Sequence, residues 1–471
     1  MPVLKHVKRL LSAHPLLTAA GISSTLFFYS TGFYDYWLLT WLAPLPVCLY
    51  ALQAPAKNAA LAAFIAHCIG ALNQIGYLPI PVFAGTTGMS AAAFATGVML
   101  FRCMAQSGRQ TVAPFVFAGS WTTYEFIRSL LSSFGTFDSL AYTQVLNLPI
   151  IQMASVTGIW GITFLLMLLP SSLAILWCYR RNWSVCRLTA LLSGSLFALV
   201  LLFGVIRLYT PADGPGIKIG LATIPTTREL LRSQDAQTIT DTLRHYSDSV
   251  NVLADSGARF ILLPEKLAAI TPATRPPSLD ILSAAARKNN VTLIAGLSNQ
   301  EDNLYNSAFL FSPDGALLPA YHKQHLLPAY ESRYTPGTSL VLFNITDASS
   351  GGLAICKDMD FGQPAREYSR QGAGILFVPA LDFHEDGWLH ARIAVMRGVE
   401  GDYAVARTAQ WGLLTISDSR GRIIGLTAAD TTTGEASLLK EVTMGEGRSF
   451  YSRTGDWLAW LCLLITITAV I

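Results

Sequence analysis

Charge is scarce in this sequence, and carboxylates are almost missing from its first half. Only 13% of the 471 residues are charged and 52% are hydrophobic, whereas a soluble domain has about 25% charged residues. Before residue 213 the acidic residues are Asp35, Glu125 and Asp138. So few carboxylates cannot provide an ordinary solvated surface for a segment of that length. The composition excludes a protein that is soluble throughout and indicates a membrane protein.

The more polar segment, residues 213–453, lacks a partner for its one cysteine. Six of the seven cysteines lie in or beside apolar segments, and Cys356 is alone in the more polar part. A disulfide scaffold is therefore excluded for that part. The net charge of +3 is small and spread along the chain, which gives no indication of nucleic-acid binding. Repeats and low-complexity tracts are also missing from the sequence.

Long apolar runs take the place of charge in the first half. A transmembrane helix needs roughly 20 mostly apolar residues. No small-residue cleavage site stands out after the basic N-terminal start, so we expect the first run to be retained rather than removed as a signal peptide. We predict a bundle of eight transmembrane helices at 11–30, 36–53, 58–78, 88–106, 111–129, 159–179, 188–208 and 456–471.

Lysine and arginine mark every second loop of this bundle. Basic residues precede the first helix and follow the second, fourth and sixth, while the other loops are nearly bare apart from Arg128. Basic loops remain on the cytoplasmic side, so the N-terminus is expected inside. We expect helices 1–7 within residues 1–212, an extracytoplasmic domain at 213–453, and helix 8 at 454–471.

The segment 213–453 has a different pattern. Charges are frequent, and short apolar runs alternate with stretches of helical periodicity. Such runs are typical of buried strands, and strands that alternate with helices predict a layered α/β domain. We predict strands at Ile217–Ile224, Phe260–Leu263, Thr292–Gly296, Ala308–Phe311, Gly352–Cys356 and Ile375–Val378, and helices at Ile239–Ser256 and Ser278–Asn289.

Cys356 and Glu265 each end one of these apolar runs. Lys357 and Asp358 follow Cys356 directly, and a cation beside a thiol favours the reactive thiolate. A carboxylate at the end of a strand can take the proton from such a thiol as a general base. Taken singly, Cys356 is equally compatible with a buried structural cysteine, and Glu265 with a solvated acid at a strand end.

Lys323 lies in the polar stretch Tyr321–Pro328. A cation held near a nucleophile can stabilise the oxyanion of a tetrahedral intermediate. His322 and His325 lie in the same stretch, but two histidines without a third ligand are a weak indication of a metal. A Cys–His pair is a further alternative. The Glu–Lys–Cys interpretation is favoured because it accounts for three motifs at once.

Together these three motifs resemble the nitrilase superfamily, whose catalytic set is Glu, Lys and Cys in that order. The similar text comprises Leu-Pro-Glu at 263–265, Lys-x-His-Leu at 323–326, Gly-x-x-Ile-Cys ending at 356, Arg397–Glu400, Arg407 and the Asp418–Gly421 turn. The resemblance implies an αββα sandwich with Glu265, Lys323 and Cys356 as catalytic residues. It implies no metal and no organic cofactor.

The apolar half resembles the apolipoprotein N-acyltransferase family of bacterial membrane enzymes. The motifs are Trp121-x-x-x-Glu125-x-x-Arg128, Gly135–Gln144, Pro149-x-x-Gln152 and Gly158-x-x-Gly161. The resemblance implies an inner-membrane enzyme with a periplasmic catalytic domain, a phospholipid acyl donor and a diacylated lipoprotein acceptor; we expect a monomer. It implies that Glu331 orients Lys323. Asp358 is expected to support the site, and Tyr330, Lys357, Phe383 and Trp388 are candidates for substrate contact.

The chain departs from that family at three places. The usual Cys-Tyr-Glu is Cys356-Lys357-Asp358, the usual Gln-Gly-Asn is replaced by Ala222–Pro225, and the usual Asn-Asp-x-Trp loop appears as Leu381–His384. These positions shape the substrate pockets more than the bond-making step. A membrane-tethered amidase that uses water as the second nucleophile therefore stays open, as does a catalytically silent scaffold.

Overall fold

A computed structural model describes residues 14–212, 214–428 and 434–470. Within these residues the chain forms two compact units. The first contains the described residues up to Leu131, then Asp138–Arg207, and those from Gly455 onward. The second contains Ser132–Phe137 and Leu208–Thr454. The start of the first predicted helix, at 11–13, and the domain boundary at Asp213 lie outside the described residues.

Each apolar segment predicted as a long helix in the first unit contains a helix among the described residues, although the predicted helix at 58–78 ends at Gly70 and is followed by a 3₁₀ turn, Ala71–Gln74. The predicted helix at 36–53 is divided into two short helices at Pro44, whose ring removes a backbone donor and disfavours a continuous helix. The helices are Pro15–Ser30, Trp37–Thr40, Leu45–Ala51, Ala56–Gly70, Ile80–Gln106, Ala113–Leu131, Leu148–Ile151, Ala154–Thr157, Ile159–Cys178, Trp183–Tyr209 and Trp457–Val470.

Three described helices are long and apolar enough to cross a membrane: Ile80–Gln106, Ile159–Cys178 and Trp183–Tyr209. The other helices of this unit are shorter or less apolar. The structure therefore contains helices with the length and apolar composition of membrane-spanning helices. The count of eight crossings remains a prediction.

Glu125 is the buried carboxylate of the first unit, with 3% of its surface exposed. Its Oε1 accepts hydrogen bonds from Trp121 Nε1 at 3.0 Å and from the Leu140 backbone N–H at 3.1 Å. Its Oε2 accepts from Ser139 Oγ at 2.5 Å and from Thr163 Oγ1 at 3.0 Å. Both oxygens are satisfied by neutral donors, which allows a carboxyl group to be buried in an apolar unit.

The second unit contains two sheets. Within the described residues one sheet has seven strands, in the order β13-β1-β2-β4-β5-β6 with β3 on β4, and the other has six, in the order β12-β11-β10-β9-β8-β7. The strands are β1 Gly216–Thr223, β2 Phe260–Leu262, β3 Ala269–Ile270, β4 Thr292–Gln300, β5 Leu304–Phe311, β6 Leu317–His322, β7 Leu342–Thr346, β8 Ser349–Leu353, β9 Ala373–Leu381, β10 Ala404–Gln410, β11 Leu413–Ser417, β12 Ile423–Ala428 and β13 Ala436–Thr443.

The two sheets pack face to face through apolar side chains. Ile219, Leu262 and Ile294 of the first sheet share a core with Ile375 and Phe377 of the second. Full burial of a side chain of this size contributes about 1.5–3 kcal/mol. Both β1-β2-β4 and β8-β9-β10 run parallel, so the carboxyl ends of the parallel strands in each sheet lie at one edge. The predicted α/β sandwich is confirmed.

Helices cover the outer faces of the sheets. The helix Ala236–Asp255 begins at Asp235, whose side chain accepts the Thr238 N–H at 2.8 Å, a common N-cap. Its Leu243 and Tyr246 are buried against the first sheet. The remaining helices of the unit are Arg228–Arg232, Arg275–Asn289, Ala365–Arg370, Gly387–Gly401 and Phe450–Thr454.

The second unit also includes six residues from the first half of the chain, Ser132–Phe137, here called the 132–137 strip. The Thr136 backbone N–H and hydroxyl donate to the Asp360 carbonyl at 2.8 and 2.6 Å. Buried Arg397 donates to Thr136 Oγ1 at 2.6 Å and to the Met359 carbonyl at 2.8 Å. A Cβ at Gly135 would lie 2.6 Å from the Asp360 carbonyl oxygen, so this close approach requires glycine.

Candidate active site

Glu265 lies three residues beyond the end of β2, not at the strand end itself. Its backbone N–H bonds to the Ala380 carbonyl of β9 at 3.2 Å, which fixes the turn. β4 passes so closely that a Cβ on Gly296 would lie 2.6 Å from the Glu265 Cα. The carboxylate is 1% exposed. Its Oε2 is buried without a hydrogen-bond partner among the described residues.

Lys323 follows β6 and reaches two carboxylates. Its Nζ lies 2.9 Å from Glu265 Oε1 and 2.9 Å from Glu331 Oε2. Its backbone N–H bonds to the Asn306 carbonyl on β5 at 2.9 Å. Burial opposes the charge, but the two carboxylates outweigh it and raise the pKa of Lys323 well above its usual range. An ammonium has three N–H donors, so two carboxylates leave one for a substrate oxygen.

Glu331 is the second carboxylate of the site and is 1% exposed. It also accepts from the Leu327 backbone N–H at 2.7 Å and forms a short ion pair with Lys266. Burial tends to raise the pKa of Glu331, but Lys323 and Lys266 outweigh it and bring the pKa well below its usual range. Glu331 is therefore charged and holds Lys323 together with Glu265.

Cys356 opens a 3₁₀ turn, Cys356–Asp360, three residues after β8. Its φ of +45° lies in the left-handed region, which is unusual for a residue with a Cβ and is often found at functional sites. The side chain is half-buried, and Sγ lies 3.8 Å from the Leu381 carbonyl oxygen. Burial and the charge of Glu265 raise the pKa of the thiol, while Lys323 opposes them. The resting thiol is neutral, so a base is required.

Asp358 connects the nucleophile turn to the segment that carries Lys323. One carboxylate oxygen accepts from the Tyr321 hydroxyl at 2.8 Å and the Ile355 backbone N–H at 3.0 Å. The other accepts from the His325 backbone N–H at 2.8 Å. Burial and the charge of Asp358 raise the pKa of Tyr321 well above its usual range. This carboxylate ties together two of the three segments that converge at the site.

The candidate substrate-contacting aromatic residues are only partly brought together. The rings of Tyr330 and Phe383 lie 5.3 Å apart, and Tyr330 is 66% exposed. Trp388 lies in the first turn of the helix Gly387–Gly401 and is half-buried. Lys357 is 3% exposed. Its ammonium lies near two aromatic rings: Phe134 of the 132–137 strip, and Phe361, which directly follows the turn Cys356–Asp360.

The two histidines near Lys323 are engaged separately. His322 shares a hydrogen bond with Ser307 at 2.8 Å and stacks on Tyr305. His325 stacks on Phe361 with ring centroids 3.8 Å apart. Each ring has its own neighbours, so the structure does not bring the two histidines into a shared ligand set.

One group among the described residues has the spacing of a metal site: Asp382, Asp386 and His390, with ligand atoms within 4.8 Å of one another. Both oxygens of Asp382 already accept from buried Arg407, at 3.0 and 2.5 Å. His390 lies 3.3 Å from Asp386. A metal would have to displace these charge-assisted bonds, so the group is better described as an ion-pair cluster.

Sequence reasoning missed two residues that complete the site. Asn306 donates to Glu265 Oε1 at 2.5 Å and to Glu331 Oε1 at 2.7 Å. It lies on β5, where the pairing of Ser307 with His322 brings it beside Lys323; no motif marks it. Lys266, which pairs with Glu331, directly follows Glu265 and was visible in the sequence.

Two protein-family models match parts of this chain. Residues 221–442 match the carbon-nitrogen hydrolase family, and residues 20–172 match the N-terminal domain of apolipoprotein N-acyltransferases. The second unit thus carries a carbon-nitrogen hydrolase domain.

Relatives that align over most of the chain define the protein more narrowly. The apolipoprotein N-acyltransferase of Geobacter metallireducens is 28% identical over 73% of this chain and 71% of its own. That of Haemophilus ducreyi is 24% identical over 92% of each chain. The mouse omega-amidase NIT2, 28% identical, covers 43% of this chain. The chain is therefore similar to apolipoprotein N-acyltransferases over most of its length, and the resemblance found in the sequence is confirmed.

Solved structures with similarity to this chain cover about half of it. An amidase from Nesterenkonia sp. has 19% identity and a TM-score of 0.41, covering 52% of this chain and 95% of the amidase. Yeast Nit3 has 21% identity and a TM-score of 0.41, covering 49% of this chain and 91% of its own.

Proposed function

We propose that this enzyme moves an acyl chain from a phospholipid, through a thioester on Cys356, to the α-amine of the S-diacylglyceryl cysteine of a lipoprotein. The observation that carries the catalytic assignment is the buried Oε2 of Glu265, which has no hydrogen-bond partner among the described residues; burial and the charge of this carboxylate both raise the pKa of the Cys356 thiol. The other oxygen of that carboxylate is held by Lys323 and Asn306. A carboxylate with one free oxygen can accept a proton.

In the first stage Glu265 takes the thiol proton of Cys356 and the sulfur attacks the ester carbonyl of the donor. The free N–H of Lys323 donates to the oxygen on which charge develops. The ester C–O bond then breaks, and the lysophospholipid oxygen takes the proton back from Glu265. The products are an S-acyl cysteine and a lysophospholipid.

In the second stage a neutral amine attacks the thioester. Glu265 takes a proton from the amine nitrogen as the C–N bond forms. The C–S bond breaks, and Glu265 returns that proton to the sulfur of Cys356. The products are an amide and the original thiol, so every proton is balanced without a cofactor.

We propose the membrane location and orientation of the enzyme from the similarity to membrane acyltransferases and from the charge pattern of the loops. We place the enzyme as a monomer in the bacterial inner membrane, with helices 1–7 in residues 1–212, helix 8 at 454–471 and the catalytic domain of 213–453 on the periplasmic side. Alternate basic loops support this orientation. Tyr330, Phe383 and Trp388 are proposed to line the substrate entrance, with Glu331 and Asp358 supporting the catalytic groups.

Mass spectrometry of the purified enzyme after incubation with labelled phospholipid tests the proposal. We expect an acyl mass on Cys356 that hydroxylamine removes and that a diacylated lipopeptide discharges as an N-acyl product. Absence of the adduct together with hydrolysis of simple amides would favour the amidase alternative and contradict acyl transfer.

A further inference from the structure

Lys357 is a buried cation that the two-stage reaction does not use. It directly follows the nucleophile, and 3% of the residue is exposed. Its Nζ has no hydrogen-bond partner among the described residues. The nearest charge is Asp360 Oδ2 at 3.6 Å, which exceeds the length of a normal N–H···O bond. Within the described residues, none of the three N–H donors of this ammonium is therefore matched by an acceptor at hydrogen-bond distance.

Two aromatic rings form the walls around this ammonium. Nζ lies 4.6 Å from the ring centroid of Phe134 and 5.4 Å from that of Phe361, within the range of cation–π attraction. Phe134 belongs to the 132–137 strip, and both rings are partly exposed. The rings shield the charge from water without accepting a conventional hydrogen bond.

An ammonium in this position is incompletely compensated. Burying hydrogen-bond donors without acceptors costs free energy. Burial lowers the pKa of Lys357, although the charge of Asp360 opposes the change. An anionic oxygen would fill the open donors and favour the charged form. A neutral amine has no negative charge to pair with the ammonium, and a cationic ligand would be repelled by it.

We propose that Lys357 binds a phosphate ester oxygen of the acyl donor while the ester carbonyl of the same molecule lies at Cys356. This inference rests on the proposed function and extends it to the recognition of the donor. Lys357 directly follows Cys356, and the charges of the two side chains act on each other; the glycerol unit of a phospholipid likewise holds an acyl ester and a phosphate close together. Lysine binds phosphate as a point charge.

The test measures the rate of acylation of Cys356 in the full-length enzyme in mixed micelles. Two donors carry the same acyl chains: phosphatidylethanolamine, and diacylglycerol, which has no phosphate. For Lys357→Met we expect the rate with phosphatidylethanolamine to fall about 10- to 100-fold, the loss of one charge-assisted hydrogen bond. The rate with diacylglycerol is expected to stay within about twofold, since such a donor makes no use of the ammonium.

Two further variants serve as controls. Lys357→Arg keeps the charge and is expected to retain most of the preference for the phosphorylated donor. Lys218→Met removes an exposed lysine on β1 and is expected to change neither rate. Thermal melting and the labelling of Cys356 by iodoacetamide show whether each variant is folded with an accessible thiol.

The outcomes separate the two proposals. If the unmodified enzyme forms no adduct with either donor, the proposed function fails. If it forms the adduct but Lys357→Met slows both donors equally, or neither, the phosphate assignment is overturned while the function stands. Inhibition by inorganic phosphate that Lys357→Met abolishes, without any change in donor preference, would indicate a site for free phosphate and would also overturn the assignment.

Discussion

Two buried glutamates, one in each unit, are held in opposite ways. All four hydrogen bonds to Glu125 come from neutral donors, and they occupy both of its oxygens. One oxygen of Glu265 accepts hydrogen bonds from Lys323 and Asn306. Its other oxygen has no partner among the described residues. A fully satisfied carboxylate has a structural role. A carboxylate whose second oxygen has no partner among the described residues, and whose charge acts on the Cys356 thiol, has an oxygen available to accept a proton.

The largest effect concerns the thiol that the empty oxygen serves. Cys356→Ala is expected to abolish the acyl adduct and the transfer of acyl chains, because no other group in the proposed reaction forms a covalent bond. The exchange removes little volume, so the melting temperature should change little. Full transfer activity in the folded variant, measured with labelled phospholipid, would exclude the nucleophile assignment.

The next test exchanges each glutamate for its amide. Glu265→Gln keeps the carbonyl oxygen that Lys323 and Asn306 hold but places an NH₂ where a proton must be received. We expect the rate of acylation of Cys356 to fall about 10²–10⁴-fold, the usual contribution of a general base. Rapid-quench measurement with a labelled donor gives this rate directly.

Glu125→Gln is the matched control for that exchange. Its NH₂ would face groups that now donate hydrogen bonds, which costs about 1–3 kcal/mol of stability and lowers the melting temperature. The acylation rate of the folded fraction should stay within about twofold, because Glu125 is outside the proposed reaction. The comparison between the two glutamates breaks down if both amides slow acylation alike in folded protein.

A smaller loss is expected when the cation at Glu265 is removed. Lys323→Ala takes away the oxyanion donor, and the acylation rate should fall roughly 10²–10³-fold. The change also leaves two buried carboxylates with less compensation, so folding is checked by melting. Lys323→Arg keeps the charge and the fold but alters the donor geometry, and it should still slow acylation. Normal kcat with a raised KM would indicate that Lys323 only binds the donor.

The smallest expected effect is on stability, and it concerns His390, a mostly buried side chain that can titrate. His390 contacts Asp386 and Asp360; burial lowers its pKa, but these carboxylates outweigh burial and raise it to about 10. A folded pKa above the unfolded value of about 6.5 gives stability that is complete below that pH and is lost as pH rises toward 10. His390→Gln should therefore flatten the fall in melting temperature between about pH 7 and pH 9. An unchanged slope would contradict the assigned ion pairs.

Much of the catalytic domain could be predicted from local pattern. The predicted strands and helices all overlap observed ones, because the apolar runs of a sheet buried on both faces are easily recognised. The strand Ala404–Gln410 was missed because its apolar run is interrupted by Arg407, whose guanidinium is compensated by Asp382 in the folded state. Tertiary ion pairing of this kind has no local signature.

Strand ends and site composition were harder to predict. Glu265 and Cys356 follow their strands by three residues rather than ending them. The Glu265 backbone N–H bonds to the Ala380 carbonyl of the other sheet rather than to a strand of its own sheet. Asn306 joins the site through the pairing of β5 with β6, which depends on contacts distant in sequence. The order of the catalytic motifs could be predicted from the sequence, but the residues that form hydrogen bonds with the catalytic side chains could not.

The 132–137 strip limits how freely the two halves of this protein can be exchanged with those of relatives. Its threonine satisfies a guanidinium more than 260 positions later in the chain, and its phenylalanine closes over the cation that follows the nucleophile. A hybrid that joins one relative's apolar half to another's hydrolase half would bring together partners that had not been selected together. The set of residues that must be kept together around the nucleophile thus extends beyond the domain that carries the cysteine.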